Sequence, residues 1–178
     1  MGNTNLKSGE TVTNGNVTRK YANGNIYNGI IQDGKRNGVG KMIYSNGDIY
    51  EGNWDNDKRH REGTFTRQED GAIYQGNWNK DEACGNCVYT IPNKFEYQGL
   101  CKNFIFHGGG AITYPNCSTY EGFFLNNLYN GQGKLTETDG SYHAGHWLNN
   151  LMHGYCYTKD KNGTITTGYW LYGQRVSD

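Results

Sequence analysis

The chain has 178 residues, one domain's worth, with 17 basic and 17 acidic side chains and a formal net charge of zero. That balance argues against general nucleic-acid binding, which needs a basic stripe. No apolar run approaches the roughly 18 residues of a helical membrane span. Apolar residues are scarce at 34%, yet aromatics reach 14% and glycine numbers 27, a profile unlike that of a disordered chain.

Residues 1–14 read as an N-terminal segment without the apolar stretch of a signal peptide. Gly2 raises myristoylation, but Leu6 stands where Ser or Thr is preferred. Residues 15–178 read as one array of about seven hairpin units, the terminal ones incomplete. Its ruler is a set of glycines, Gly29, Gly52, Gly76, Gly99, Gly122, Gly145 and Gly168, spaced by 23, 24, 23, 23, 23 and 23 residues. A fixed period of that length means one supersecondary unit stacked on itself.

With each ruler glycine set as zero, Tyr27, Tyr50, Tyr74, Tyr97 and Tyr120 stand at minus two, followed by His143 and Thr166. Ile31, Trp54, Trp78, Cys101, Phe124, Trp147 and Trp170 stand at plus two. Residues two apart share one face of a strand, so each triplet predicts a strand with its rings on one side. Turn formers follow, among them Asp33-Gly34, Asn56-Asp57 and Asn126-Asn127, and predict two-residue hairpin loops. A second strand carries glycine at plus nine, with Arg61 the exception, and at plus eleven, where Cys87 and Cys156 substitute. Apolar residues such as Met42, Phe65, Tyr89, Ile112 and Leu135 stand at plus thirteen.

The odd period has a consequence for pairing. With a two-residue first loop, plus nine pairs with zero and plus eleven with the tyrosine. Keeping the tyrosine and the plus-thirteen residue on one face then requires an odd second loop, such as Ser45-Asn46-Gly47, whose glycine supplies a left-handed conformation. Each tyrosine is expected opposite a glycine on one neighbour and an apolar side chain on the other. The predicted fold is all-β: a single-layer, elongated antiparallel meander of roughly 14 strands, about 65 Å long.

Tyr50-Glu51-Gly52-Asn53-Trp54, Tyr120-Glu121-Gly122 and the segments His107-Gly108-Gly109-Gly110 and Asn130-Gly131-Gln132-Gly133 resemble the MORN repeat (membrane occupation and recognition nexus). The resemblance covers residues 15–178, with Cys101, Arg61 and the weak unit after Gly168 as departures. It implies an assembly subunit of cytoskeletal or ciliary structures, such as radial spokes, or of membrane junctions. Similar repeats also accompany lipid kinase and SET methyltransferase domains.

Candidate catalytic chemistry is sparse. Cys84 and Cys87 form a lone Cys-x-x-Cys without the second pair a zinc site needs, and residues three apart on a strand face opposite sides. His60, His107 and His153 recur at plus eight through repeat phase. Glu51, Glu96 and Glu121 flank aromatic positions with no enclosed site to tune them. The expectation is therefore no enzyme, no cofactor and no metal.

Binding is the stronger expectation. Tyr50, Trp54, Tyr74, Trp78, Tyr97, Tyr120, Phe124 and Trp147 line one side of successive strands. They either stack to hold the sheet or expose an aromatic groove for a partner protein, and both can hold. Pairing of two copies through terminal edge strands is a further expectation. The alternatives are a phospholipid-binding module using Lys58, Arg59 and Arg61, which otherwise read as a solvated hairpin tip, and a regulatory array on a separate enzyme.

Overall fold

A computed structural model of the chain describes residues 4–5 and 14–177. The remainder of the N-terminal segment, including Gly2, lies outside the described residues. No helix occurs among the described residues. The chain divides into two compact units, residues 1–92 and 93–178.

The first unit holds β1 (Thr4–Asn5), β2 (Asn14–Lys20), β3 (Ile26–Gln32), β4 (Lys35–Ile43), β5 (Ile49–Asp55), β6 (Lys58–Thr66), β7 (Ile73–Asn79) and β8 (Glu82–Ile91). β1 pairs parallel with β2, and β2 to β8 form an antiparallel meander. The second unit holds β9 (Phe95–Lys102), β10 (Ile105–Thr113), β11 (Thr119–Leu125), β12 (Leu128–Thr136), β13 (Tyr142–Leu148), β14 (Leu151–Lys159), β15 (Ile165–Leu171) and β16 (Gln174–Ser177). It too is an antiparallel meander in chain order.

Both predicted loop types are present. In the two-residue loops both residues have positive φ, as at Asn56 (48°) and Asp57 (70°), the mirror-image turn that matches strand twist. The second loop has three residues at Ser45-Asn46-Gly47: the Tyr44 N–H donates to the Asp48 carbonyl and the Gly47 N–H to the Tyr44 carbonyl. After β6 the loop is one residue longer, the Arg67 N–H donating to the Ala72 carbonyl, and this accounts for the single spacing of 24.

The register differs from the expected one. The ruler glycine pairs with plus eleven rather than plus nine: Gly29 with Gly40, Gly52 with Gly63, Gly99 with Gly110 and Gly122 with Gly133. A bulge causes the shift, because three residues of β6 between Arg59 and Gly63 stand against Asn53 alone. The plus-nine residue is the left-handed member of that bulge, φ 85° at Gly131 and 56° at Arg61. Plus eleven also meets the next ruler glycine, as Gly40 meets Gly52 and Gly110 meets Gly122.

Glycines therefore form a row across β3 to β7 in the first unit and β9 to β13 in the second, with Cys87 and Cys156 in the next places. The tyrosines face larger residues, Tyr50 lying between Met42 and Phe65, and lean lengthwise over that row. A Cβ at Gly133 would strike the Tyr120 hydroxyl, and one at Gly122 would strike the Gly133 backbone and lie 2.6 Å from the Gln132 carbonyl. Gly109 by contrast has open space where a Cβ would go. Gly122→Ala is expected to lower unfolding free energy by about 1–3 kcal/mol and Gly109→Ala to change it by less than about 0.5 kcal/mol, compared by urea denaturation.

Candidate functional site: the aromatic side

Each tyrosine hydroxyl reaches over its glycine to donate to the carbonyl one residue beyond, at the bulge. Tyr27 bonds Ile30 at 3.0 Å, Tyr50 bonds Asn53 and Tyr74 bonds Asn77 at 2.9 Å, Tyr97 bonds Leu100 at 2.7 Å and Tyr120 bonds Phe123 at 3.1 Å. Burial pushes the ionisation of Tyr27, Tyr50 and Tyr120 far above the ordinary range. The indole N–H groups of Trp54, Trp78 and Trp147 donate to the carbonyls of Gly40, Gly63 and Gly133, one strand back.

Within each unit the rings zigzag edge to face. Tyr50 meets Trp54 and Trp78 at 5.0 and 5.3 Å, and Tyr120 meets Phe124 and Trp147 at 5.2 and 5.6 Å. Such pairs add roughly 0.5–1.5 kcal/mol beyond their burial.

The expected groove residues are thus the core. Tyr50, Tyr74, Tyr97 and Tyr120 are 0% exposed, Trp78 2%, Phe124 3%, and Trp54 and Trp147 4%. The expectation that these rings also expose part of their area is corrected for a physical reason: a second tier of side chains covers them. That tier comes from plus seven, which pairs with plus two across the hairpin, as Trp54 pairs with Arg59 and Phe124 with Tyr129.

In the first unit the plus-seven residues Arg36 and Arg59 form a cationic cover, the third position being Ala83. The guanidinium of Arg36 lies 4.3 Å from the Trp54 ring centre and that of Arg59 lies 4.2 Å from Trp78. Each is held from the next hairpin loop. Arg36 Nε donates to Asp57 Oδ1 at 2.9 Å and Arg59 Nε to Asp81 Oδ1 at 3.1 Å. The same carboxylates accept the backbone N–H of Arg36 and Arg59.

In the second unit the plus-seven residues Phe106 and Tyr129 form an aromatic cover, followed by Met152 and Arg175. Phe106 lies flat on Tyr97 at 3.7 Å and Tyr129 flat on Tyr120 at 3.6 Å. The loop clasp persists with amides: Asn127 Oδ1 accepts the Phe106 N–H and Asn150 Oδ1 the Tyr129 N–H. Where Cys156 replaces a glycine and His143 a tyrosine, Cys156 Sγ donates to the His146 carbonyl, the equivalent of the tyrosine acceptor.

Lys58, Arg59 and Arg61 do not form one basic patch. Arg59 is folded onto Trp78 and paired with Asp81, Lys58 is its neighbour on the opposite side of the strand, and Arg61 sits in the bulge.

A hollow opens on the aromatic side of each unit, and the two are equivalent in repeat position. One, of about 480 Å³, is bounded by Tyr44, Ser45, Asn46, Asp48, Arg59 and Phe65. The other, of about 550 Å³, is bounded by Tyr114, Pro115, Asn116, Ser118, Tyr129 and Leu135, with Glu137. Neither was anticipated from the buried ring positions; the plus-seven column, read in register, is the sequence signal that points to them. On its opposite side the first unit carries a shallow polar hollow at Glu51, Glu62 and Gln75, and the second unit carries on its own opposite side exposed rings at Phe123, Tyr155 and Tyr169.

Five MORN repeats match the chain, at residues 27–49, 50–69, 74–94, 120–142 and 143–165. The chain belongs to the MORN repeat family. The unmatched stretch 95–119 is the repeat with Cys101 in the tryptophan slot, where Phe106 covers Tyr97. Among solved structures, this MORN array is similar to the TCP domain of Drosophila melanogaster SAS-4 (TM-score 0.53, 18% identity, 93% of this chain and 95% of that one). It is also similar to the Drosophila melanogaster Sas-4 TCP10c domain (TM-score 0.48, 19% identity, 84% and 89%) and to the Danio rerio CPAP TCP10 domain (TM-score 0.35, 13% identity, 85% and 77%). At these identities the first likeness is one of fold. No curated protein sequence matches the chain.

Burial pushes the Asp57 carboxyl up, but hydrogen bonds from the Arg36 backbone and guanidinium prevail and hold it below the usual carboxylate range. A carboxylate depressed on folding adds stability above its unfolded pKa of about 3.9 and loses it as pH falls through the folded value. The urea midpoint is therefore expected to fall on acidification below about pH 4, with a shallower fall in Asp57→Asn.

Proposed function

We propose that this MORN array is a non-catalytic interaction scaffold whose aromatic side holds extended segments of partner proteins, within a cytoskeletal or ciliary assembly. The observation that carries this reading is the pair of repeat-equivalent hollows. Each is walled by a half-buried tyrosine at a turn and floored by a plus-seven side chain lying on a buried ring. Buried rings fix the floor, while the half-buried tier supplies contact area at little ordering cost. Open, aromatic-lined surfaces of this kind suit an extended segment better than a small substrate, which needs enclosure.

The similar Drosophila SAS-4 TCP domain was solved in complex with a Proline Rich Motif of Ana2. By analogy of fold, this supports a role in holding a segment of another protein. Localisation to cytoskeletal structures rests on the family resemblance. Edge pairing between copies is compatible with this role and independent of the hollows.

The experiment is native capture with the whole chain as bait. A double variant Tyr44→Ala, Tyr114→Ala removes one wall of each hollow without touching a fully buried ring. Partners recovered by the wild type are expected to be lost from this variant and kept by Phe123→Ser, altered on the opposite side. Undiminished recovery by a double variant that keeps the wild-type circular-dichroism spectrum counts against the aromatic side.

A further inference from the structure

The geometry points to an occupant for the second-unit hollow: an extended, proline-bearing segment carrying one basic side chain. This rests on the scaffold reading and names the chemistry of one of its sites.

The floor is Tyr129, fixed flat on Tyr120 and edge-on to Trp147 at 5.7 Å, with Leu135 beside it. The walls are Tyr114 and Pro115. The two tyrosine hydroxyls are hydrogen-bonded to each other. A pair of hydroxyls has two hydrogens and spends one between the oxygens. The other has no acceptor among the described residues and is left to donate outward.

A polyproline-II segment matches these features. It has no internal hydrogen bonds, so its carbonyls seek donors, and proline brings no N–H that would need an acceptor from the walls. Its rings suit flat aromatic floors, and its stiffness limits the entropy lost on docking.

The basic side chain follows from Glu137. This half-buried carboxylate stands at the edge of the hollow with no ion pair or side-chain hydrogen bond among the described residues. Burial, then the Tyr114 bond, then charges including Glu137 raise the ionisation of Tyr129, which puts the carboxylate within electrostatic reach of the floor. A cation arriving on a docked segment would pair with it at reduced solvent exposure.

The first-unit hollow offers no such vacancy. Its Asp48 carboxylate accepts from the Gln68 N–H and Asn46 Nδ2, and its floor already carries the Arg59 cation.

The test uses the full chain and a short labelled peptide of prolines and alanines with a single arginine, read by fluorescence anisotropy. Companion peptides carry glutamate for the arginine, or alanine for every proline. The arginine–proline peptide is expected to bind at least about tenfold more tightly than either companion. Glu137→Lys is expected to reverse the preference between arginine and glutamate peptides. Glu137→Gln is expected to remove the preference while keeping the proline dependence. Equal binding of all three peptides, no binding of any, or an unchanged arginine preference in both Glu137 variants overturns the inference. If it falls while Tyr44→Ala, Tyr114→Ala still loses the captured partners, the scaffold reading stands and the occupant is of another chemistry. If capture is also unaffected, both fall.

Discussion

A tyrosine ring laid along a pair of facing glycines is the contact on which this structure depends. The ring reaches its carbonyl acceptor only by crossing the backbone where the ruler glycine and the plus-eleven glycine stand opposite each other. A Cβ at Gly133 would meet the hydroxyl and one at Gly122 the facing strand; Cys87, opposite Gly76, is the small side chain tolerated there in the first unit. The glycines thereby let each unit, with no covering layer of elements among the described residues, bury large aromatic residues completely. Repetition then adds the nearest-neighbour term that stabilises repeat proteins, since Tyr27 and Tyr50 in the first unit and Tyr97 and Tyr120 in the second each also meet a tryptophan or phenylalanine of the next hairpin.

Above that core sits a tier that varies while its backbone clasp does not. In both units the second loop residue accepts the N–H of a plus-seven residue in the previous hairpin, through Asp57 and Asp81 in one and Asn127 and Asn150 in the other. The plus-seven side chain is free to differ: arginine over tryptophan in the first unit, phenylalanine or tyrosine over tyrosine in the second. Cation–π contacts contribute roughly 0.5–2 kcal/mol each, comparable to a stacked aromatic pair, so stability tolerates either. Specificity can therefore change at this column without rebuilding the core, and the surface chemistry of the two hollows differs accordingly.

Much of this was legible in the residues. The 23-residue beat and the alternation of rings and glycines carry the antiparallel meander, and Ser45-Asn46-Gly47 is the three-residue turn that the odd period demands. The pairing register was not legible, because the plus-nine glycine serves two conformations equally well: a plain ladder residue, or the left-handed member of a bulge. Arg61, at φ 56°, occupies the second kind of site against its preference. The exposure of Tyr50, Trp54 and their equivalents was misjudged for a related reason. Side-chain alternation identifies a face, but it does not say whether a neighbouring strand's longer side chains fold back over it. Arg59 read as part of a basic cluster because Lys58 and Arg61 adjoin it, although strand geometry turns it away from Lys58.

What the sequence by itself determined is everything periodic: the hairpin unit, the loop types, the ring side and the family, since these follow from local backbone preferences and side-chain alternation. What only the tertiary structure decided is which side chains remain at the surface of that ring side. That depends on contacts between side chains of neighbouring strands and hairpins, such as Asp81 with Arg59, 22 residues apart, and Tyr114 with Tyr129, 15 apart, where a bulge sets the register.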